Sequence, residues 1–371
     1  MYKPKEYLIH ISLFLVTIIT TTLAGGEWLY GKWLFGSEGN ALTLEYFLKS
    51  LHFSIPFIGI LFVHEMGHLL TSIHHRVKSS MPYFIPGWLG FLGSLSLGTF
   101  GAIIQMKGFI NSRRKFFDIG VAGPLAGFIV AFFVLWYGFT QLPEADYIYE
   151  IHPEYLDPDF KGKAEEEGYI NLRLGYNLLF YIMENTLAEP EKMPDMYEVI
   201  HFPYLFAGYL ALFFTALNLL PIGQLDGGHV IFGLFPKHHS KISLVFFTAF
   251  VFYAGLGIIN PYQDISQLLI RIPLYIGFLY IIYRKARLPN DSKWALILLI
   301  AAVQYGLTFL FPTLEGYSGW LLFAFLLGRV MGIDHPEVSG TREMNRQRKV
   351  IAWLAILIFL LCFTPQPFIF E

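Results

Sequence analysis

Cysteine is almost absent from this chain, since Cys362 is the only one among 371 residues. A single cysteine excludes an intramolecular disulfide framework and a cysteine-based metal site. Any metal ligands must therefore come from histidine, aspartate or glutamate.

Charge is also scarce, because Asp, Glu, Lys and Arg together make up only 15% of the residues and the formal net charge is −2. Such a chain has no overall field that would attract nucleic acid, and it shows no arginine-rich or RNA-binding aromatic pattern. We therefore expect no nucleic acid partner. The hydrophobic fraction of 55% exceeds that of a soluble globular chain, which indicates a membrane environment.

Apolar runs long enough to cross about 30 Å of hydrocarbon recur along nearly the whole chain. About nine runs meet this criterion, so we expect an all-α polytopic membrane protein. The candidate transmembrane helices are residues 7–24, 43–63, 116–139, 201–220, 242–259, 265–283, 294–311, 318–332 and 350–364.

The first apolar run has two interpretations. It follows Lys3 and Lys5 and could be a signal peptide, but its apolar core is long. Gly25-Gly26-Glu27-Trp28 offers no clear small-residue cleavage pattern, which favours a retained span.

The basic residues of the connecting segments predict how the chain crosses the membrane. If the N-terminus is cytoplasmic, all the main basic clusters fall on the cytoplasmic side, as the positive-inside rule requires. These clusters are residues 74–78, 113–115, 237–241, 284–287 and 342–349.

Three regions are expected along the chain. Residues 1–42 form an N-terminal transmembrane anchor, residues 43–235 form a membrane core, and residues 236–371 add further C-terminal transmembrane helices. Within the core, residues 140–200 form an acidic extracytoplasmic loop that contains Glu165-Glu166-Glu167. An acidic solvated connector is the favoured interpretation, and a small subdomain that filters substrates is the alternative.

Residues 82–110 are apolar but unsuited to a straight lipid-facing helix. They are interrupted by Pro82, Pro86 and the glycines at 87, 90, 93, 98, 101 and 108. Non-helical backbone at membrane depth persists only when it is buried in protein or lines a wet cavity. We expect a re-entrant loop or hairpin near the active site.

The run HEMGH at residues 64–68 carries the strongest chemical signal. In a helix, His64 and His68 share one face and can bind one metal ion, while Glu65 can reach a metal-bound water. This is the HExxH arrangement, in which Zn²⁺ acidifies water and the carboxylate takes its proton.

The non-catalytic alternative is that these residues lie at the membrane interface, where the second span leaves the bilayer. Ionisable residues in a span cost about 2.5 to 3.5 kcal/mol each on insertion scales, so three of them within five residues indicate a function. His74 and His75 are more typical of a surface and are left out of the site.

A catalytic zinc site generally has three protein ligands. Asp226, in the run NLLPIGQLDGG at residues 218–228, lies at the same predicted cytoplasmic level and is the candidate third ligand. It could instead be a turn residue, because Asp-Gly is a common turn signal. Asn218 could hold the substrate backbone or stabilise an oxyanion, or could only cap its helix.

These two motifs together resemble the site-2 protease family of intramembrane metalloproteases, whose pattern is HExxH followed by NxxPxxxLDG. Gly123-Pro124-Leu125-Ala126-Gly127 resembles the small-residue motif of that family. Gly98-Thr99-Phe100-Gly101-Ala102-Ile103 is similar to its glycine-containing segment and is closest to the EGY-type branch. The chain departs from the family in lacking a recognisable PDZ insertion.

The resemblance implies that His64, His68 and Asp226 bind Zn²⁺ and that Glu65 is the catalytic base. It also implies a transmembrane protein substrate that is cut at or within the membrane, in regulated intramembrane proteolysis. The implied location is a bacterial inner membrane, with the active site near the cytoplasmic face.

A metal transporter or membrane metal sensor using the same histidines is the competing interpretation. Such a protein would need further polar residues along a path across the bilayer, whereas the other long spans are largely apolar. Metal flux in proteoliposomes would distinguish the two.

Overall fold

The computed structural model describes residues 4–108, 110, 112–157, 172–336 and 343–370, and these residues are mostly helical. The helices are α1 (Pro4–Tyr30), α2 (Leu44–His74), α3 (Arg113–Thr140), α4 (Tyr147–Ile151), α5 (Leu178–Leu187), α6 (Pro203–Leu219), α7 (Asp226–Leu234), α8 (His239–Ala254), α9 (Ile265–Tyr283), α10 (Asn290–Leu310), α11 (Trp320–Phe325, continued by a π-helix over Leu326–Met331) and α12 (Arg346–Cys362).

Five of these helices are long and apolar enough to cross a membrane: α1, α2, α3, α9 and α10. They coincide with five of the predicted spans. The runs 201–220, 242–259 and 318–332 form the shorter apolar helices Pro203–Leu219, His239–Ala254 and Trp320–Met331. Run 350–364 lies largely in α12, which has 17 residues. The helical membrane character is thus confirmed, and the number of nine spans is not.

Among the described residues, two small antiparallel sheets accompany the helices, and the expected all-α class did not include these strand pairings. Strand β1 (Tyr83–Gly87) pairs with β2 (Gly98–Ile103), and β3 (Leu172–Leu174) pairs with β4 (Phe368–Phe370). The first sheet lies within the glycine-rich segment. Entry of this segment into the membrane stays a prediction.

The chain divides into two compact units. The first comprises Met1–Ile110, Val121–Asn218 and Leu354–Glu371, and the second comprises Asn111–Gly120 and Leu219–Trp353. Each unit combines segments that are far apart in sequence. The predicted regions 1–42, 43–235 and 236–371 stay predictions.

In the first unit, α1 packs along α2. The hydroxyls of Thr22 and Ser54 form a buried hydrogen bond of 2.7 Å between the two helices. A buried aromatic stack continues from Phe53 to Phe57 and to Phe206 of α6, with ring centroids 5.5 Å and 5.2 Å from Phe53. Apolar packing of this kind fixes α2 within the unit.

The β1–β2 hairpin, residues 83–103, packs against the same two helices. Gly98 has a φ of +73°, and a Cβ there would overlap Thr20 and Thr21 of α1, so only glycine permits this approach. The Thr20 hydroxyl donates to the Gly98 carbonyl at 2.7 Å. Phe84 of β1 stacks on Phe62 of α2, with the ring centroids 6.4 Å apart. Phe62 is two residues before His64, so the hairpin contacts α2 just before HEMGH.

The described parts of residues 140–200 include α4, β3 and α5, and they bury Phe180, Met183 and Val199. Glu165, Glu166 and Glu167 lie outside the described residues. The role of this loop therefore stays a prediction.

In the second unit, Arg348 and Asp118 join α12 to the start of α3. Nε donates to Oδ1 at 2.7 Å and Nη2 donates to Oδ2 at 2.6 Å, so the pair is bidentate. This geometry is stronger than that of a single-contact surface pair.

Candidate metal centre

Helix α2 brings together the two histidines of HEMGH as the four-residue spacing predicts. Their Nε2 atoms are 3.1 Å apart, and the side chains are buried, at 6% and 9% exposure for His64 and His68. Glu65 is half-buried at the next position. Two imidazole nitrogens that face each other at this distance provide adjacent donors for one metal ion.

Small residues of α3 make room for these two rings. A Cβ added at Gly123 would overlap the His68 imidazole, and a Cβ at Gly127 would come within 3.1 Å of the His64 Cβ. A Cβ at Gly67 would likewise lie 2.9 Å from the carbonyl carbon of Ala122. The glycines let the two helices approach closely, so the rings are oriented by packing.

Asn218 joins the histidines at the last turn of α6. Its Nδ2 lies 3.5 Å from Nε2 of His64, at the outer limit of a hydrogen bond. The side chain is half-buried. The structure therefore brings His64, His68 and Asn218 of the first unit together.

Asp226 lies in the second unit, in the first turn of α7. The helix begins after Leu225, and Gly227 and Gly228 pack against the carbonyl oxygens of Leu219 and Gly223 with no room for a Cβ. Asp226 is half-buried. A carboxylate at this position is also favoured by the positive end of the helix dipole.

The donor chemistry and the space around the rings fit a zinc ion, because neutral imidazoles and a carboxylate are its ordinary ligands. The facing Nε2 atoms and the glycines beside them support a metal at His64 and His68. The complete ligand set, with Asp226, stays a prediction.

The sequence reasoning missed a second group of ligand-type side chains, formed by His152, Glu198 and His201 of the first unit. One ligand atom from each lies within 4.8 Å of the others. Burial lowers the pKa of His201 to about 4, so its ring is neutral at pH 7. The Glu198-x-x-His201 spacing was the available sequence signal, and His152 had no such signal.

Comparison with known proteins adds a family match. The sequence model of peptidase family M50 matches residues 52–260, which is more than half of the chain. The matched range contains HEMGH, the glycines of α3 and the run 218–228.

The curated proteins that the chain resembles include several from plants. The chain is 32% identical over 196 residues to a protein of Oryza sativa subsp. japonica named probable zinc metalloprotease EGY1, chloroplastic, which covers 53% of this chain and 30% of that relative. The Arabidopsis thaliana protein of the same name is 34% identical over 183 residues, covering 49% and 29%. A protein of Oryza sativa subsp. indica named probable zinc metalloprotease EGY2, chloroplastic, is 27% identical over 239 residues, covering 64% and 38%. The aligned region thus spans about a third of each relative's length.

Proposed function

Because this chain belongs to peptidase family M50, we propose that it is an intramembrane zinc endopeptidase of the site-2 protease type. It hydrolyses a peptide bond within or next to a transmembrane helix of a membrane protein. The observation that carries this proposal is the buried pair His64 and His68 on α2, with Nε2 atoms 3.1 Å apart and Glu65 beside them.

The zinc ligands in this proposal are His64, His68 and Asp226. When bound, zinc supplies a Lewis acid that polarises the scissile carbonyl and makes water a better nucleophile. The Nε2 atoms of the two imidazoles already face each other and the glycines of α3 leave room beside the rings, so little reorganisation precedes metal binding. Asp226 would bring a negative charge that partly offsets the charge of the ion.

Glu65 is the general base in this scheme. Its carboxylate accepts a proton from the attacking water and then gives it to the leaving amine. Asn218 has an amide N–H group next to His64, where it can donate to a substrate carbonyl or to the developing oxyanion. Asn218 therefore orients the substrate and stabilises charge.

A helical substrate hides its peptide groups in i to i−4 hydrogen bonds, so cleavage requires local unwinding. We assign this step to the β1–β2 hairpin, which packs beside Phe62 at the approach to HEMGH. An unwound substrate segment would pair with the backbone of β2 by strand addition. The exposed Phe100 and Ile103 of that strand, at 68% and 53%, would contact its side chains.

The protein's place in a membrane follows from its long apolar helices, while its orientation is part of the proposal. The N-terminus and the zinc site lie near the cytoplasmic face of a bacterial-type inner membrane in this scheme, because the basic loops then all lie inside. The biological outcome is regulated intramembrane proteolysis, in which cleavage releases a soluble part of the substrate.

The test is cleavage of a single-span substrate by the full chain in detergent, with zinc measured for every variant. Glu65→Gln is expected to keep the wild-type zinc content and to lose at least about a hundredfold in kcat, because proton transfer of this kind contributes about 10²–10⁴. Asp226→Asn is expected to lower the zinc content and to lose activity.

Two exposed positions provide matched controls. Glu38→Gln and Asp264→Asn make the same chemical changes at exposed sites and are expected to leave both readouts at wild-type levels. Full cleavage by zinc-loaded Glu65→Gln would rule out the assigned base. Wild-type zinc content in Asp226→Asn would rule out the third ligand.

A further inference from the structure

The cluster of His152, Glu198 and His201, which we call the loop cluster, lies in the first unit. Its residues come from two segments, and a hydrogen bond connects it to a third. His152 follows α4, while Glu198 and His201 immediately precede α6. Nδ1 of His201 lies 2.6 Å from the carbonyl oxygen of Leu29 at the end of α1. The cluster shares no residue with HEMGH.

The hydrogen bonds of the two rings determine which nitrogens carry protons. A carbonyl oxygen only accepts, so Nδ1 of His201 must donate to Leu29, which leaves its Nε2 as a bare lone pair in the neutral ring. Nδ1 of His152 lies 2.8 Å from Oε1 of Glu154, and it donates to that ionised carboxylate. With its second proton absent, as metal binding requires, the His152 ring would therefore also present a lone pair at Nε2.

These two lone pairs face each other. The Nε2 atoms of His152 and His201 are 3.1 Å apart, a distance at which two acceptors repel unless a cation or a proton lies between them. Oε2 of Glu198 lies 3.6 Å from Nε2 of His201. Oε2 is buried and has no hydrogen-bond partner among the described residues.

The separations match those of ligands around one small ion. A tetrahedral zinc with bonds of about 2.0–2.1 Å holds its ligand atoms about 3.3–3.4 Å apart. Metal-binding histidines also typically donate their second ring N–H to a carbonyl or a carboxylate, as His201 and His152 do here with Leu29 and Glu154.

We propose that Nε2 of His152, Nε2 of His201 and the carboxylate of Glu198 bind a second zinc ion, distinct from the one proposed at HEMGH. Two imidazoles and one carboxylate are a donor set that zinc prefers. The side chain of His152 is 26% exposed, so the ion has access from solvent and a water molecule can complete the tetrahedron. This proposal does not depend on the proposed protease activity.

The ion would crosslink segments of the first unit. It would tie the segment after α4 to the segment before α6, residues that are 49 positions apart, and through His201 to the end of α1. An ion that binds the folded chain better than the unfolded one raises stability by RT ln(1 + L/Kd), where L is the free ion concentration. Zinc removal is therefore expected to loosen this side of the first unit first.

The test counts zinc in the full chain purified in detergent and dialysed against buffered free zinc. Wild type is expected to hold about two ions per chain, His152→Gln and Glu198→Gln one fewer, and His68→Ala also one fewer. The Tyr155 hydroxyl donates a hydrogen bond to Oε1 of Glu198 at 2.8 Å, and the amide oxygen of Gln can accept the same bond. Glu198→Gln therefore removes the charge with little change of shape.

His52→Gln is the matched histidine control. His52 Nδ1 lies 2.7 Å from the Tyr204 hydroxyl, and the residue lies outside the cluster, so this variant is expected to retain the wild-type zinc count. A combined His68→Ala and His152→Gln variant is expected to hold no zinc. If His68→Ala alone removes all zinc, a shared proton occupies the loop cluster and the proposal is wrong.

Cobalt provides a second readout that does not depend on counting. Co²⁺ added to zinc-free His68→Ala is expected to give the strong visible absorption of a four-coordinate site, and His152→Gln in that background is expected to abolish it. Zinc is also expected to raise the unfolding temperature of His68→Ala and not that of the combined variant. Equal spectra for the two proteins would overturn the proposal, whereas loss of protease activity in His68→Ala bears only on the HEMGH site.

Discussion

At the scale of single residues, the candidate metal centre depends as much on glycines as on histidines. Gly123 of α3 lies against the imidazole of His68, where a methyl group would overlap the ring, and Gly127 lies close to His64, where a methyl group would come within 3.1 Å of its Cβ. The space available to both ligands thus depends on the small residues of a neighbouring helix. Packing that holds a reactive geometry to within about 0.5 Å is what such sites require.

We expect Gly123→Ala to lower proteolysis by about a hundredfold and to weaken zinc binding, because a displacement of about 1 Å is enough for such a loss. The measurement is kcat together with zinc content of the detergent-purified chain. Gly59→Ala is the control, since its Cβ meets no described atom within 4 Å. Equal activity in the two variants would show that the rings do not depend on Gly123.

The sequence was sufficient to predict the pairing of His64 and His68, because helical spacing alone places them on one face. It also singled out Gly123 and Gly127, but without their role, since periodicity does not say which helix packs against which. The loop cluster was not predicted. His152 and His201 are 49 residues apart, and only the folding of the intervening chain brings their rings together.

At the scale of elements, the β1–β2 hairpin is the part of the fold that differs most from a helical bundle. The glycines and prolines of 82–110 correctly excluded a straight helix, and the strand register came only from the structure. That register shifts between Phe84 and Pro86, where the regular pairing is interrupted. Proline removes one donor there, so irregular pairing costs little.

We expect Gly98→Ala to displace the hairpin from α1 and to lower the stability of the first unit. Two costs add at this position: a left-handed backbone at φ +73°, and overlap of the new Cβ with Thr20 and Thr21. Together they amount to about 2–4 kcal/mol. The readouts are the unfolding temperature in detergent and the rate of substrate cleavage.

Gly93→Ala separates the two costs. Gly93 has a similar φ of +67°, but a Cβ there meets no described atom within 4 Å, so this variant carries the backbone cost alone. It is expected to lose about 1 kcal/mol and to retain most cleavage. If Gly93→Ala is as impaired as Gly98→Ala, contact of the hairpin with α1 does not matter for the reaction.

At the scale of the whole molecule, apolar composition predicted more spans than helix length supports. Helix α8 ends at Ala254, followed by Gly255 and by Gly257 with a φ of +86°, and its 16 residues are about 24 Å long. The predicted run extended to residue 259 because those residues are still apolar. Hydropathy averages over a window, so it does not detect where backbone geometry ends a helix.

The near absence of cysteine makes the membrane orientation testable. In a Cys362→Ala background, single cysteines at the exposed positions Lys78, Ala145 and Lys237 can be labelled with an impermeant thiol reagent. We expect Ala145→Cys to react in intact cells, and Lys78→Cys and Lys237→Cys only in inverted vesicles. Reaction of residues 78 and 145 from the same side would contradict the predicted topology.

In the proposed function, the position of HEMGH along α2 would set how deep a cut can lie. The helix ends at His74, six residues after His68, which is a distance of about 9 Å along its axis. A substrate helix lying parallel to α2 would need to unravel only its last two turns to bring a peptide bond level with the two imidazoles. We therefore expect cleavage products whose new terminus lies within about two turns of the membrane surface, and substrates whose helices are weakest at that end.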